Sequence, residues 1–262
     1  MSAFMDLNII YSSDKKRLQS IIETAAHLGY SCVAVNYVVE PQQKKKEIPV
    51  PLRVMEMFEN VPVVQGKSTP IKILNRLTIL ASDASHFRPC TEFKQYDLVA
   101  VYPKTEKLFH AACMTFDVDI ICISVNEKQP FHFKRPPVNG AIERGIVFEI
   151  CYAALIRDSN TRRYTIANAI SLIEVCKGKN VIVSSGAERA LELRGPYDIA
   201  NIGLVFSLSE GDAKAAVSSN CRSVVLHAET RATASGVLHT VRKPQKQEEE
   251  SPAFKKARTD LA

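Results

Sequence analysis

Short apolar segments alternate with amphipathic segments along most of the chain, and this alternation limits the fold more than any other feature of the sequence. Seven apolar, mostly β-branched segments predict strands at Phe4–Ile10, Ser31–Val39, Ile71–Ala81, Leu98–Tyr102, Ile120–Val125, Val147–Ile156 and Val181–Ser184. Helical periodicity follows Ser13 and fills Thr105–Thr115, Asn160–Lys177, Pro196–Phe206 and Ser209–Arg231. Alternating strands and helices with continuously apolar strands are typical of a parallel sheet covered by helices.

The number of strands favours a closed barrel over an open sheet. The chain has 262 residues, a length at which α/β barrels form one domain. Neither of the glycine-rich phosphate loops G-x-G-x-x-G and G-x-x-x-x-G-K-[ST], which favour open sheets, is present. We therefore predict a TIM-barrel-like closed parallel α/β barrel as a single domain over residues 1–241.

The last 21 residues differ from the rest in composition. Residues 242–262 contain two prolines, a glutamate triplet and few apolar groups, which predicts a disordered charged tail. Its basic residues form two groups with the spacing of a bipartite nuclear import signal, Arg242, Lys243, Lys255, Lys256 and Arg258. The alternative is a tail that only adds solubility. The whole chain has a formal net charge of +6. Without this tail the chain has 28 basic and 24 acidic residues, which leaves a net charge of +4.

Cysteine usage and the amino terminus indicate an intracellular, soluble protein. The seven cysteines are odd in number, widely spaced and without a C-x-x-C pair, as expected for buried thiols in a reducing compartment. Residues 1–10 include Asp6 and lack the cationic start and apolar core of a signal peptide. No apolar run approaches the roughly 18 residues of a membrane span.

Catalytic and metal-binding patterns are weak. The six histidines include no H-x-H or H-x-x-x-H pair, and no G-x-S-x-G sequence marks a nucleophile. The first strand offers Asp6 and Asn8 where a barrel metallohydrolase needs clustered histidines and carboxylates. We expect no catalytic residue, no metal site and no cofactor bound by the protein.

Basic residues lie near the ends of several strands and are the stronger signal. In a barrel, loops that follow strands share one end, so their cations would combine into one field. The candidate phosphate contacts are Lys67, Arg76, Lys104, Lys107, Lys134, Arg135, Arg162, Arg163, Arg189 and Arg194. The alternative, unrelated basic residues in solvated loops, stays open because lysine and arginine are routinely exposed.

Several long segments resemble one family, the thirty-kilodalton protein subunit of eukaryotic ribonuclease P. They include TAAHLGY at 24–30, QGKSTPIKILNRLT at 65–78, VAVYPKTEKLFHAAC at 99–113, PFHFKRPPVNGAIERGIVFEICY at 130–152 and the block at 162–209. The resemblance covers about residues 1–243. It implies a TIM-barrel-like fold related to the polymerase and histidinol phosphatase barrel.

The resemblance also implies a function, which we state as an expectation. A protein of this family is a noncatalytic subunit that supports a catalytic RNA in removing 5′ leaders from precursor tRNA. It is shared with the related mitochondrial RNA processing ribonucleoprotein, which acts on pre-rRNA. Its expected neighbours are the RNA of the particle, a small ferredoxin-like subunit and other subunits, in the nucleus and nucleolus. Mg²⁺ is expected on the RNA component.

Two other function classes remain as hypotheses. One is a free-standing metal-dependent phosphoesterase with the same barrel fold. The other is a pure protein adaptor, for which reversing the charges of Lys134 and Arg135 would leave RNA crosslinking unchanged.

Overall fold

A computed structural model describes residues 3–40, 48–87 and 91–233. Within these ranges seven strands form one parallel sheet in which each strand pairs with the next along the chain. The strands are β1 (Phe4–Ile10), β2 (Tyr30–Val39), β3 (Lys72–Ala81), β4 (Leu98–Pro103), β5 (Ile120–Cys122), β6 (Val147–Cys151) and β7 (Val181–Ser184). All seven predicted strands are therefore present.

Helices connect most of the strands on the outside of the sheet. They are α1 (Lys15–His27), α2 (Val54–Met57), α3 (Glu106–Met114), α4 (Arg135–Glu143), α5 (Ala153–Arg157), α6 (Ser159–Cys176), α7 (Pro196–Val205), α8 (Glu210–Ala215) and α9 (Ser219–Ala232). Short 3-10 turns lie at Ala84–His86, Thr91–Gln95 and Ala190–Glu192.

Hydrogen bonds between the segment after β7 and β1 close the sheet into a barrel. The amide of Gly186 donates to the carbonyl of Asn8 at 2.8 Å, and the amide of Ile10 donates to the carbonyl of Ala187 at 3.0 Å. Ile9 and Ala187 also form a parallel bridge. The predicted TIM-barrel-like fold is confirmed, with seven strands in the described part of the chain and a seam between β7 and β1 that is shorter than the other strand pairings.

Alternate residues of each strand point into the barrel. Small or medium apolar side chains fill the half of the interior nearer the end at which the strands begin. The interior cluster includes Leu7, Ala34, Ala100 and Ile182. Larger side chains on the opposite faces pack under the helices, as expected for a two-residue period in strands covered on both sides.

Helix α9 closes the end of the barrel at which the strands begin. Its buried side chains Cys221, Val224 and Ala228 belong to the interior cluster. The segment before α9 is held to β1 by a hydrogen bond from the amide of Met5 to the carbonyl of Val217 at 3.1 Å. The opposite end, where the strands finish, carries the loops that lead into α1, α3, α4 and α5.

Local signals set most helix ends. The Asp14 carboxylate caps α1 by accepting from the amides of Lys16 and Arg17, and Gly29 ends that segment with φ +91°. Ser209 caps α8 by accepting from the amide of Asp212 at 3.1 Å, as the Ser209–Asp212 spacing indicates.

Three predicted element boundaries are wrong. The strand expected at Val147–Ile156 ends at Cys151 and gives way to α5. The single helix expected over Ser209–Arg231 is two helices, α8 and α9. The fifth strand ends at Cys122 rather than Val125.

Helix α4 was not predicted, because its first turn contains two consecutive prolines. Pro136 lies at the helix start, where its missing N–H costs nothing because the first amides of a helix have no intrahelical acceptor.

The described cysteines are unpaired thiols. None of Cys32, Cys113, Cys122, Cys151, Cys176 and Cys221 forms a disulfide, and all but Cys151 are buried. Burial raises the pKa of both Cys32 and Cys113 to about 12, so these thiols stay protonated. Within residues 3–40, 48–87 and 91–233, no helix is long and apolar enough to cross a bilayer. The predicted tail and its five import-signal residues lie outside the described residues.

Candidate nucleic-acid interface

The end of the barrel at which the strands finish carries exposed cations from several elements. We call this set the carboxyl-end basic surface. It consists of Lys15, Lys16, Arg17, Lys104, Lys107, Lys134, Arg135, Arg162, Arg163 and Arg189, all of which are exposed. Parallel strands bring these residues to one end because each lies beyond the carboxyl end of a strand, in the connection or in the first turns of a helix after it.

Several of these cations oppose the helix dipole. The first turns of α1, α4 and α6 contain no acidic residue, and α1 begins with Lys15, Lys16 and Arg17. The amino end of a helix carries positive partial charge, so a cation there costs about 0.3–1 kcal/mol. Asp14 and Asp158 cap α1 and α6 but precede the first turn. Cations and helix ends therefore add to one positive field, an arrangement suited to an anion.

The side chains of four cations of this surface form neither a hydrogen bond nor an ion pair in the part of the chain that the structure describes. They are Lys16, Lys107, Arg135 and Arg163. Arg162 donates from Nε to the carbonyl of Leu155 at 2.9 Å, which fixes its stem.

Other cations of the surface have acidic partners. Lys104 pairs with Glu40 at 2.5 Å and Lys134 with Glu106 at 2.7 Å. The hydrogen bond from Lys134 lowers the pKa of Glu106. Exposed pairs of this kind contribute roughly 0–1 kcal/mol, so an incoming phosphate can replace the carboxylate at little cost.

A firmer contact joins α5 to the turn after β7. Arg157 donates two hydrogen bonds to the Glu192 carboxylate, at 2.8 and 2.7 Å, and also pairs with Glu188 at 3.1 Å. Burial of Glu192 opposes its ionisation, but the bonds from Arg157 and from nearby amides lower its pKa to about 2. Nearby, Arg17 donates to the carbonyl of Glu188 at 2.7 Å, which places the start of α1 beside Arg189.

The barrel interior holds a second polar group, centred on a buried ion pair. Arg76 in β3 donates from Nη1 and Nη2 to the two carboxylate oxygens of Glu149 in β6, at 2.5 and 2.6 Å, and both side chains are fully buried. Glu149 also accepts from Asn8, Ser184 and Cys122. Burial opposes its ionisation, but Arg76, Ser184 and Cys122 lower its pKa.

The saturation of Glu149 limits what it can do chemically. Five hydrogen bonds occupy its two oxygens, and a lowered pKa keeps it ionised, so it has neither a free lone pair nor a proton to transfer. Among the described residues, no three His, Cys, Asp or Glu side chains converge as metal ligands. The Arg76 guanidinium stands in the interior, where a bound cation would meet its charge.

Comparison with known proteins identifies the family. The family model described as RNase P subunit p30 matches residues 3–233. The chain belongs to this family.

Two relatives of the p30 family member described here show how far the similarity extends. Mouse ribonuclease P protein subunit p30 is 57% identical over 267 residues, covering 99% of this chain and 100% of the mouse protein. The probable ribonuclease P protein subunit 3 of Schizosaccharomyces pombe is 30% identical over 234 residues, covering 87% and 94% of the two chains.

Two solved structures share the fold of this p30 family member. A chain of the cryo-EM structure of archaeal ribonuclease P with mature tRNA superposes with a TM-score of 0.62 at 16% identity, covering 94% of this chain and 100% of that one. Aspergillus niger ochratoxinase gives a TM-score of 0.50 at 10% identity, covering 86% and 71%. At these identities the likeness concerns the fold alone.

The structure brings seven of the ten predicted phosphate contacts to the carboxyl-end basic surface. These are Lys104, Lys107, Lys134, Arg135, Arg162, Arg163 and Arg189. Their contact with RNA stays a prediction.

The other three predicted contacts lie elsewhere. Arg76 is wrong as a phosphate contact, because its side chain points into the barrel and is 0% exposed. Lys67 precedes β3 and so lies at the opposite end of the barrel. Arg194 donates from Nη1 to the carbonyls of Leu191 and Leu193, at 2.8 and 2.7 Å, so its guanidinium is turned onto its own segment.

Sequence reasoning missed two elements of this architecture. Lys15, Lys16 and Arg17 begin α1 after the short connection 11–14 that follows β1, and three consecutive basic residues after a Ser-Ser-Asp helix start could have identified them. Glu149 had no such signal, because a single acidic residue in an apolar strand gives no indication of a partner 73 residues away.

Proposed function

We propose that this protein is a noncatalytic subunit of ribonuclease P that supports the catalytic RNA in removing 5′ leaders from precursor tRNA. Membership of the p30 family carries the proposal, with relatives named as ribonuclease P subunits matched over nearly their whole length. The carboxyl-end basic surface supplies the RNA contact.

Phosphate neutralisation is the physical contribution that we assign to the protein. The cations of this surface meet RNA phosphates, and their binding releases condensed counterions. Close packing of RNA helices then needs less Mg²⁺, which in this proposal is bound by the RNA. The contribution should decline as salt concentration rises.

The chemistry is assigned to the RNA because the interior polar residues of this chain bond to one another. Glu149 is ionised and saturated by Arg76, Asn8, Ser184 and Cys122. A free-standing metal-dependent phosphoesterase is not favoured, since the guanidinium occupies the barrel interior and the family relatives are named as ribonuclease P subunits.

The same proposal extends to partners and location. A yeast relative, 24% identical over 209 residues, is named ribonuclease P/MRP protein subunit RPP1, which supports a role in the related particle that processes pre-rRNA. We assign the small ferredoxin-like subunit and other subunits of the particle as protein neighbours, precursor tRNA as substrate of the complex, and the nucleus and nucleolus as location.

The test is purification of the tagged protein from cells, sequencing of bound RNA and assay of precursor tRNA cleavage. The wild type should recover the ribonuclease P RNA with cleavage activity. A triple variant, Lys107→Glu with Arg135→Glu and Arg163→Glu, should recover several-fold less RNA at low salt, with the deficit shrinking as salt increases.

A matched control reverses three exposed cations away from this surface, Lys94, Lys179 and Arg222. It makes the same change in net charge and should recover RNA as the wild type does. Equal RNA recovery by the two triple variants would contradict the assigned surface, and absence of the RNA from the wild type would contradict the function itself.

A further inference from the structure

A cleft at the end of the barrel where the strands begin combines an exposed aromatic ring with a lysine. It encloses about 390 Å³ between the start of β1, the end of α1, the loop before β3 and the start of α7. Phe4, Tyr197 and Lys67 line it. The carboxyl-end basic surface lies at the other end of the barrel, so the cleft is a separate feature.

Tyr197 gives the cleft a flat and exposed wall. Its side chain is 68% exposed, the highest value among the phenylalanine and tyrosine rings that the structure describes. The ring packs edge-to-face on Phe4, with centroids 5.3 Å apart and an interplanar angle of 69°. This contact restricts the Tyr197 ring while leaving most of its surface accessible, so a second ring can stack on it with little loss of conformational entropy.

Lys67 gives the cleft a positioned positive charge. Its ammonium donates to the hydroxyl of Ser31 at 2.5 Å, a neutral partner, and the side chain is half-buried. No carboxylate of the described residues lies within 4 Å of it. Two ammonium hydrogens therefore remain available for an anion.

Two glycines leave room beside these side chains. Gly29 and Gly66 both have positive φ, at +91° and +73°, and no heavy atom lies within 4 Å of where a Cβ would stand on either residue. The backbone turns at these positions border open space, so a planar group can approach without meeting a side chain.

We propose that this cleft binds one unpaired nucleotide of an RNA strand. The base stacks on Tyr197, and the adjacent phosphate accepts from Lys67. The inference rests on the proposed function, which brings RNA to the protein, and it adds a contact for single-stranded RNA to the phosphate contacts on the opposite end. Stacking on an aromatic side chain with a neighbouring cation is the usual chemistry by which proteins hold unpaired bases.

A nucleotide fits the cleft better than an apolar side chain of a protein partner. An apolar group seated against Tyr197 would bury the Lys67 ammonium beside it without an anionic partner, which is unfavourable. A nucleotide satisfies both groups at once, because its base is apolar on its faces and its phosphate is anionic.

The test measures binding of the full chain to two probes, a 12-nucleotide oligouridine and a 12-base-pair RNA duplex. Tyr197→Leu keeps an apolar side chain but removes the stacking surface, and Tyr197→Phe keeps that surface. Stacking of one base on an aromatic ring accounts for about a tenfold difference in affinity. We expect Tyr197→Leu to bind oligouridine about tenfold more weakly, with duplex binding unchanged, and Tyr197→Phe to bind both probes as the wild type does.

Lys67→Gln should weaken oligouridine binding. It should also lower the slope of log affinity for oligouridine against log salt by about 0.7, the value for one phosphate contact on a single strand. The ring at position 197 is exposed, so these variants are expected to fold, and thermal unfolding of each variant checks this. Equal oligouridine affinity for the wild type and Tyr197→Leu would overturn the inference, as would an equal loss for both probes.

The proposed function is tested separately by the same probes. The triple charge reversal on the carboxyl-end basic surface should weaken binding of both RNAs. If that variant loses both while Tyr197→Leu loses neither, the proposed function stands and the cleft proposal fails. If the Tyr197→Leu variant binds oligouridine normally but is no longer recovered with the ribonuclease P particle, the cleft holds a protein partner instead, and the proposal is wrong.

Discussion

Arg76 and Glu149 face each other across the interior of the barrel and form two hydrogen bonds, at 2.5 and 2.6 Å, with neither side chain exposed to solvent. The pair joins β3 to β6, which are not neighbours in the sheet. It therefore links opposite walls of the barrel and fills the space in which enzymes of this fold place reacting groups.

Removing one partner of this pair should destabilise the fold strongly. Glu149→Gln leaves the Arg76 guanidinium buried without its counter-charge, which costs about 3–5 kcal/mol in free energy of unfolding. Urea denaturation measures the loss. Arg76→Met combined with Glu149→Gln should recover a large part of it, because this double variant leaves neither charge of the pair buried. The oxygen of the new amide can accept from Asn8, and its NH2 can donate to the Ser184 hydroxyl, which lies at the other carboxylate oxygen. A double variant no more stable than Glu149→Gln would argue against this interpretation.

Asp6 should make stability fall as pH rises. Burial raises its pKa to about 6, although the amides of Ser185 and Asn8 bond to Oδ1, and Oδ2 has no partner among the described residues. The unfolded value is about 4, so the folded state binds the proton more tightly. The contribution of Asp6 to stability is therefore complete below about pH 4 and disappears as pH rises through about 6.

Comparison with Asp6→Asn isolates this effect from other titrations. The stability of the wild type relative to Asp6→Asn should fall between pH 4 and pH 8, by up to about 3 kcal/mol. Urea denaturation at several pH values provides the difference. A constant difference across this range would show that Asp6 does not titrate as described.

His227 should make the docking of α9 depend on pH. Its Nδ1 lies 2.8 Å from the Asp119 carboxylate and its Nε2 lies 3.2 Å from the carbonyl of Arg144. Both partners are acceptors, so only the protonated imidazole donates to both. The hydrogen bond to Asp119 is the largest cause of a raised pKa, although burial and the nearby Arg231 oppose it.

Because the folded pKa of His227 is raised, its stabilising contribution is complete below about pH 6.5 and is lost as pH rises through the folded value. Hydrogen exchange of the α9 amides should accelerate over that range beyond the intrinsic pH dependence. His227→Asn should abolish this excess. Arg231, which also bonds to Asp119 at 3.0 Å, keeps the helix attached in both cases.

Two adjacent cations on the carboxyl-end basic surface should contribute differently to RNA binding, because only one of them forms an ion pair in the free protein. Arg135 has no carboxylate partner among the described residues, whereas Lys134 pairs with Glu106. Arg135→Gln should lower the slope of log affinity for duplex RNA against log salt by about 0.9. Lys134→Gln should lower it less, since binding must first displace Glu106. Equal slopes for the two variants would show that the Glu106 pair does not compete with RNA.

Local patterns in the sequence were enough to predict the strands. β1 runs over Phe4–Ile10 as the apolar segment indicates, because strand formation depends on neighbouring residues. The position of Arg76 could not be predicted this way. A strand points alternate side chains to opposite faces, and only its pairing with a residue 73 positions away shows that Arg76 faces inward.

The candidate surface was predicted in part for a similar reason. Residues after a strand end, such as Lys104 and Lys107, were correctly placed because parallel strands share a direction. The position predicted for Lys67 differs from the structure because the residue precedes β3, and only residues beyond the end of a strand reach the carboxyl-end basic surface. The long connection from β2 to β3 returns the chain to the opposite end first.

The closure of the barrel by α9 has a consequence for synthesis on the ribosome. Leu7 and Val224 belong to one apolar cluster, yet 217 positions separate them. At about 5–20 residues per second, translation takes roughly 10–45 s to cover that distance. During this time the inward-facing side chains of β1 lack the α9 side chains that they pack against, so the nascent chain completes its core only after α9 has emerged.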